Sequence, residues 1–241
     1  MKSSMNLNRV AQSTPSFSDD VFKKSDNLDI KKHRKSDQYS LKLKRAFDLT
    51  LAFGAVIILF PMFLLLGLIL VAFQGRPLFI KHKRVGQSGS PFNCFKFRTM
   101  VTNGDEVLKD HLAKNPQARE EWEATRKLKF DPRVTPIGHI LRKSSVDELP
   151  QLLNVIRGDM SVVGPRPIVQ DEVRYYGDDF AYYTKVRPGL TGLWQVSGRN
   201  DVSYRSRVQM DVRYAQEYSL SRDVVIIAKT IPAVLRSKGC Y

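Results

Sequence analysis

Between Asp48 and Arg76 the chain carries no charged residue, and this interval is dense in Leu, Ile, Phe and Val. At 1.5 Å per residue, a helix of this length crosses a hydrocarbon core of roughly 30 Å. The run starts too far from the N-terminus and lasts too long to resemble a signal peptide. It anchors the protein in a membrane. The simplest arrangement is one transmembrane helix, but two features point elsewhere. Pro61 lies near the midpoint, where it removes a backbone hydrogen bond and kinks a helix. The flanks are basic on both sides, with Lys42, Lys44 and Arg45 before the run and Arg76, Lys81, Lys83 and Arg84 after it. The positive-inside rule orients a span by charge asymmetry, and there is almost none here. A helix that enters, bends at Pro61 and returns through the same leaflet satisfies both flanks. On these residues alone, spanning and re-entrance both stand.

The apolar run divides the chain into three. Residues 1–40 are rich in Ser, Asp, Asn and Lys without periodicity, which reads as a disordered basic arm. Its end, Lys31-Lys32-His33-Arg34-Lys35, suits anionic lipid headgroups better than nucleic acid. Residues 41–75 form the membrane helix, and 76–241 form a domain with its own core. The expected fold is α+β and mainly helical: a membrane helix followed by a small cytosolic domain with a short β-hairpin and surface amphipathic helices.

Within that domain, 77–84 and 92–100 read as two strands around Gly86-Gln87-Ser88-Gly89. Alternation puts Phe95 and Phe97 on one face of the second strand, and Lys96 and Arg98 on the other. Residues 104–128 read as helical. Leu149, Leu152, Leu153 and Ile156 have the i, i+3, i+4, i+7 spacing of a short amphipathic helix ending near Gly158. Two more helices are expected near 203–218 and 222–236, the second apolar enough to pack on a core or lie on a bilayer surface.

The net charge of +15 favours anionic partners. Eleven basic and six acidic residues lie through Asp48, against 28 and 18 from Arg76 onward, so the excess is spread along the chain rather than held in a tail. Cys94 and Cys240 are too few and too isolated for a disulfide framework or a zinc site. No G-x-x-x-x-G-K-[ST], G-x-G-x-x-G, G-x-S-x-G or H-E-x-x-H motif is present. This disfavours P-loop, Rossmann and zinc-hydrolase chemistry. The four histidines are isolated, and none receives a role.

The adjacent acids Asp147 and Glu148 allow two readings. Ser145-Val146-Asp147-Glu148 matches a capping box, with Ser145 as N-cap and Glu148 three residues on. A carboxylate pair at a membrane-proximal helix terminus also suits Mg2+ binding, or attack on an electrophile. Arg142, Arg166, Arg187 and Arg199 lie in or beside Gly- and Pro-rich loops, where a guanidinium fork fits phosphate oxygens. Arg166 stands out because Pro165 and Pro167 restrict its backbone. Lys96 and Arg98 are further candidates.

Several blocks together resemble the bacterial monotopic phosphoglycosyl transferases: Lys44-Arg45-Ala46-Phe47-Asp48, Lys96-Phe97-Arg98-Thr99-Met100, the run from Ser145 to Leu152, the run from Gly158 to Pro167, and the run from Arg187 to Asn200. They occur in the family's order from about residue 42 to 241. The chain looks most like the branch of undecaprenyl-phosphate galactose phosphotransferases that starts exopolysaccharide repeat units. The resemblance implies transfer of hexose 1-phosphate, galactose or glucose, from a UDP-hexose to undecaprenyl phosphate with release of UMP. It implies Asp147 as covalent nucleophile and Glu148 beside it, both as Mg2+ ligands. Arg142, Arg166, Arg199, Lys96 and Arg98 would then hold phosphates or nucleotide. It also implies a re-entrant helix broken at a Ser-Pro pair, for which this chain has Phe60-Pro61. The catalytic domain would face the cytoplasm at the bacterial inner membrane, against anionic lipids. A homo-oligomer stays open, and no nucleic acid is expected. The competing view is a non-enzymatic, membrane-anchored basic scaffold.

Overall fold

The computed structural model describes residues 17–125, 128–197 and 202–235; for 17–40, 124–125 and 235 it describes the backbone alone. The chain divides into two units, Met1–Leu43 and Lys44–Tyr241, and every side-chain contact below lies within the second.

Helix α1 runs over Phe17–Gln74. It begins well inside the stretch expected to be an irregular arm, and its backbone is helical across residues 17–40. It also continues through Pro61, where a break was expected. A proline deletes one amide donor. On either side a long run of strong helix formers such as Leu and Ala keeps the rest of the ladder, so one missing bond does not end the helix. The part from Leu41 to Gln74 is long and apolar enough to cross a membrane.

One stripe of α1 packs on the following domain. Ala52, Ala55, Val56 and Phe63 meet Cys94, Leu152, Val155 and Met160, while Phe63, Leu66 and Leu70 meet Phe97 and Leu141. The other side is bare: Ile58 is 78% exposed and Phe73 77%, with Ile57, Phe60, Leu65 and Leu68 close behind. An apolar surface of this extent is stable only against lipid or another protein.

Both ends of the apolar stretch are fastened to that same domain. At the start, Lys44 Nζ donates to Asp223 Oδ2 at 2.7 Å, and Arg45 donates to the carbonyls of Val155 and Ile156. One turn on, the Asp48 carboxylate accepts from Ser161 Oγ and from the Val162 amide. At the end, Arg98 donates to the carbonyls of Gln74, Gly75 and Arg76. These are the acceptors that a helix C-terminus leaves unsatisfied.

The domain opens with a hairpin. Strand β1 (Phe79–Val85) pairs antiparallel with β2 (Pro91–Phe97), matching His82 with Cys94 and Arg84 with Phe92. The charged stretch after it forms two helices, α2 (Gly104–Lys114) and α3 (Pro116–Thr125), because Pro116 restarts the chain where one helix was expected. Helix α4 (Pro136–Ser144) is capped by Thr135, whose hydroxyl accepts from the Gly138 amide. A 3₁₀ turn over Val146–Gln151 leads into α5 (Leu152–Arg157), which ends at the left-handed Gly158.

Short strand β3 (Ser161–Val163), helix α6 (Phe180–Tyr183), strand β4 (Gly189–Thr191) and helix α7 (Leu193–Ser197) follow. Strands β3 and β4 pair in parallel. The backbones after β3 and at β4 approach so closely that a Cβ on Gly189 would lie 2.1 Å from the Gly164 amide nitrogen. Helix α8 (Tyr204–Glu217) packs Val208, Asp211 and Tyr214 inward, and α9 (Leu220–Leu235) buries Asp223 and Ile226 while exposing Val224, Val225 and Ile231. The expected hairpin and the helices near 149–156, 203–218 and 222–236 are all present within a few residues.

Candidate active site

The turn that carries the two acids starts from an unusual residue. Ser145 has φ 58° and ψ 15°, the left-handed region, and its amide donates back to the carbonyls of Leu141 and Arg142. It therefore closes α4 instead of opening the next helix, and its hydroxyl caps nothing. The capping box is not formed. A non-glycine residue held in this region costs on the order of 1–3 kcal/mol, and such positions concentrate at functional sites.

Freed from capping, the Glu148 side chain turns to the hairpin. Its Oε1 accepts from Lys96 Nζ at 2.7 Å and from Arg166 Nη2 at 3.4 Å. Burial alone would raise this carboxyl. The charges of Arg166 and Lys96, with the Lys96 hydrogen bond, outweigh it and hold the group at about 2. Glu148 is ionised at any physiological pH.

Asp147 has the opposite surroundings. It is only 7% exposed, and no hydrogen bond or ion pair reaches its carboxylate among the described residues. Burial raises it to about 6, with the Glu148 charge adding to the rise and Lys96, Arg142 and Arg166 holding it back. Arg142 comes from the last turn of α4, where its Nε donates to Thr99 Oγ1 at 2.9 Å. Two adjacent carboxyls are thus driven apart, one firmly ionised and the other near neutrality and unpartnered. Such a separation marks acids given different chemical tasks.

Arg166 follows β3 directly, between a fully buried Pro165 and Pro167. Its guanidinium carbon lies 5.9 Å from the centre of the Trp194 ring, and that of Arg207 lies 4.6 Å from the same ring. A shallow open cleft lies beside this cluster, lined by Arg84, Lys96, Glu148, Arg166, Gly189 and Gln195 among others.

The structure therefore brings together Asp147, Glu148, Lys96, Arg142 and Arg166. It does not bring Arg98. Strand β2 ends at Phe97, the alternation lapses there, and both terminal nitrogens of Arg98 donate to the carbonyls at the end of α1. Arg98 closes a helix instead of holding a phosphate. Arg199 lies outside the described residues, as does Cys240. Arg187 is half-buried beside β4.

Arg84, read from the sequence only as a membrane flank, lines the cleft. His82 shares its strand face, and its imidazole is pushed below the usual range by burial, then by the charges of Arg84, Lys96 and Arg142. Hairpin register was the signal for both: paired residues point to one side, so Arg84 and His82 accompany Lys96.

Among the described residues, no three His, Cys, Asp or Glu side chains gather as an all-protein cage for a metal. Mg2+ rarely needs one, since one or two carboxylates plus substrate phosphate oxygens suffice. The unpartnered Asp147 fits that role, with Glu148 adjacent but already held by two cations.

Residues 39–237 match the bacterial sugar transferase family. The chain is 55% identical over 198 residues to the exopolysaccharide production protein ExoY of Sinorhizobium fredii, covering 82% of this chain and 88% of that protein. It is 52% identical over 199 residues to the undecaprenyl-phosphate galactose phosphotransferase of Salmonella typhimurium, covering 83% of this chain and 42% of that protein. Similarity extends to the UDP-glucose:undecaprenyl-phosphate glucose-1-phosphate transferase of Caulobacter vibrioides, at 36% over 206 residues, 82% of this chain and 72% of that protein.

Proposed function

We propose, from the premise that this chain belongs to the bacterial sugar transferase family, that it moves hexose 1-phosphate from a UDP-hexose to undecaprenyl phosphate. This would be the first membrane step in building an exopolysaccharide repeat unit. The observation that carries the reading is the buried, unpartnered Asp147 beside a Glu148 neutralised by Lys96 and Arg166.

The steps follow from that arrangement. An ionised Asp147 oxygen attacks the phosphorus that bears the sugar, forming an aspartyl–phosphosugar bond. The bond from that phosphorus to the bridging oxygen breaks, and UMP leaves with the electron pair. A phosphate oxygen of undecaprenyl phosphate then attacks the same phosphorus, and Asp147 is released as a carboxylate. Desolvation makes the Asp147 oxygen a better nucleophile than a solvated carboxylate. Arg142 and Arg166 offset the charge that gathers on the phosphoryl oxygens. Mg2+ held by Asp147, with Glu148 and the substrate phosphates completing its shell, would supply further charge neutralisation.

Support for a one-leaflet placement comes from the two ends of the apolar helix. A straight helix from Lys44 to Gln74 is about 45 Å long, yet both ends are bonded to the same domain. A crossing helix would carry one of those attachments to the far side of the bilayer. A monotopic helix keeps both at one surface, on the cytoplasmic side where UDP-sugars are made, and sets Asp147 at the depth of a lipid phosphate.

The test is UMP release by the detergent-solubilised protein across a panel of UDP-hexoses. Release that requires undecaprenyl phosphate and Mg2+, and is lost in Asp147→Asn, supports the reading. Release from no UDP-sugar contradicts it. The scaffold alternative expects Asp147 and Glu148 substitutions to leave function intact.

A further inference from the structure

The hairpin carries a cation that the other described residues leave without a hydrogen bond or ion pair. Arg84 lines the cleft, yet no hydrogen bond or ion pair reaches its guanidinium among the described residues. Its neighbours differ. Lys96 and Arg166 both bind Glu148, and Arg142 binds Thr99.

The backbone around Arg84 is nevertheless firmly held. The Val85 amide donates to the Ile168 carbonyl at 2.9 Å, and the Val85 carbonyl accepts from Tyr183 Oη at 2.8 Å. Beyond it, the Ser88 amide donates to the Thr184 carbonyl, and Gln87 Nε2 to that of Lys185. A fixed backbone presenting a free planar fork of donors is preorganised for an anion.

We propose that Arg84 binds the phosphate of the departing nucleoside monophosphate, in a subsite distinct from the sugar-phosphoryl position at Asp147. The inference rests on the transferase reading above. The cleft gives the assignment: Arg84 lines it together with Lys96, Glu148 and Arg166, whereas Asp147 and Arg142 stand outside its lining. In-line displacement puts the attacking and leaving oxygens on opposite sides of the phosphorus. With Asp147 as the attacking group, the leaving phosphate is directed away from it, into the cleft that Arg84 lines. The leaving oxygen takes the electron pair of the broken P–O bond, and Arg84 offsets that new charge.

The test is calorimetric titration of the full-length protein in detergent with UMP and, separately, with uridine. Arg84→Ala is expected to weaken UMP about tenfold or more while leaving uridine unchanged. Arg84→Lys should fall between, because an ammonium supplies charge without the fork. The thermal midpoint should hardly move, since Arg84 loses no hydrogen bond or ion pair among the described residues. Equal UMP affinity in wild type and Arg84→Ala overturns the subsite and leaves the transferase reading standing. Failure of the wild type both to bind UMP and to release it from UDP-hexose overturns both. Should Arg84→Ala not fold, Arg84→Gln takes its place, and wild-type UMP affinity in that variant likewise overturns the subsite.

Discussion

Apart from Asp211 in α8, which Tyr176 Oη serves, the buried acids of this domain stand at the root of the membrane helix and at the cleft. At the root, Asp48 and Asp223 are almost wholly buried, and each is well supplied with donors. Asp48 accepts from Ser161 Oγ and the Val162 amide; Asp223 accepts from Lys44 Nζ and Tyr214 Oη. At the cleft, Asp147 is nearly as buried and has no such donor among the described residues. Burial is common to both places, so burial alone does not make an acid reactive. A buried carboxylate saturated with donors fixes a structure, and one left without them keeps its lone pairs for chemistry. Stability is sacrificed at the second place and built at the first.

The sharpest break in the comparison is Asp147→Asn. Turnover should fall on the order of a thousandfold or more, while the protein becomes more stable at pH 7. The sign follows from protonation. Folded Asp147 titrates at about 6, against 3.8 ordinarily, so between those values the native state holds more protons than the unfolded one. Stability from this group is fully present below the lower value and is lost as pH rises to the higher, by about 3 kcal/mol. Asparagine does not ionise and escapes that loss. Thermal melts of the two proteins at pH 4 and pH 7 check it: the midpoints should differ at pH 7 and converge at pH 4.

Lys44→Met acts on the other group. Removing the cation strands Asp223 and weakens the setting of Asp48, and breaking a buried pair costs about 3–5 kcal/mol. Chemical denaturation of the variant should show a loss of that size, with activity falling only as the folded fraction falls. A variant that stayed stable but became inactive, as expected for Asp147→Asn, would dissolve the distinction between the two groups.

Activity should also depend on pH. Attack requires ionised Asp147, so kcat/KM should decline below about pH 6, close to tenfold per unit. The smallest effect is expected for Lys96→Met, about tenfold in kcat/KM. Its signature is a displaced pH profile: Lys96 is the main charge holding Asp147 down, so the acid limb should move to higher pH.

Much of this was legible in the residues. The hairpin and the helices α5, α8 and α9 announce themselves by alternation, by i, i+3, i+4 spacing and by Gly158. These signals are local and survive folding. What stayed hidden depends on contacts distant in sequence. Ser145-Val146-Asp147-Glu148 reads as a capping box until Ser145 is seen in the left-handed region, a conformation imposed by the end of α4. Arg98 reads as a partner of Lys96 until the strand is seen to stop one residue earlier. Arg84 reads as a flank of the membrane segment until hairpin register turns it into the cleft. The apolar segment itself shows the same limit: its length is plain, but the fastening of both its ends to one domain belongs to the tertiary structure.

The central claim is that Asp147 carries the sugar phosphate. The most direct measurement is mass spectrometry of the protein incubated with UDP-hexose and Mg2+ in the absence of undecaprenyl phosphate, quenched in acid and digested. The account expects one hexose phosphate on the peptide containing Asp147, lost on adding undecaprenyl phosphate and absent in Asp147→Asn. An adduct on Glu148, or near-normal turnover by Asp147→Asn, would contradict it.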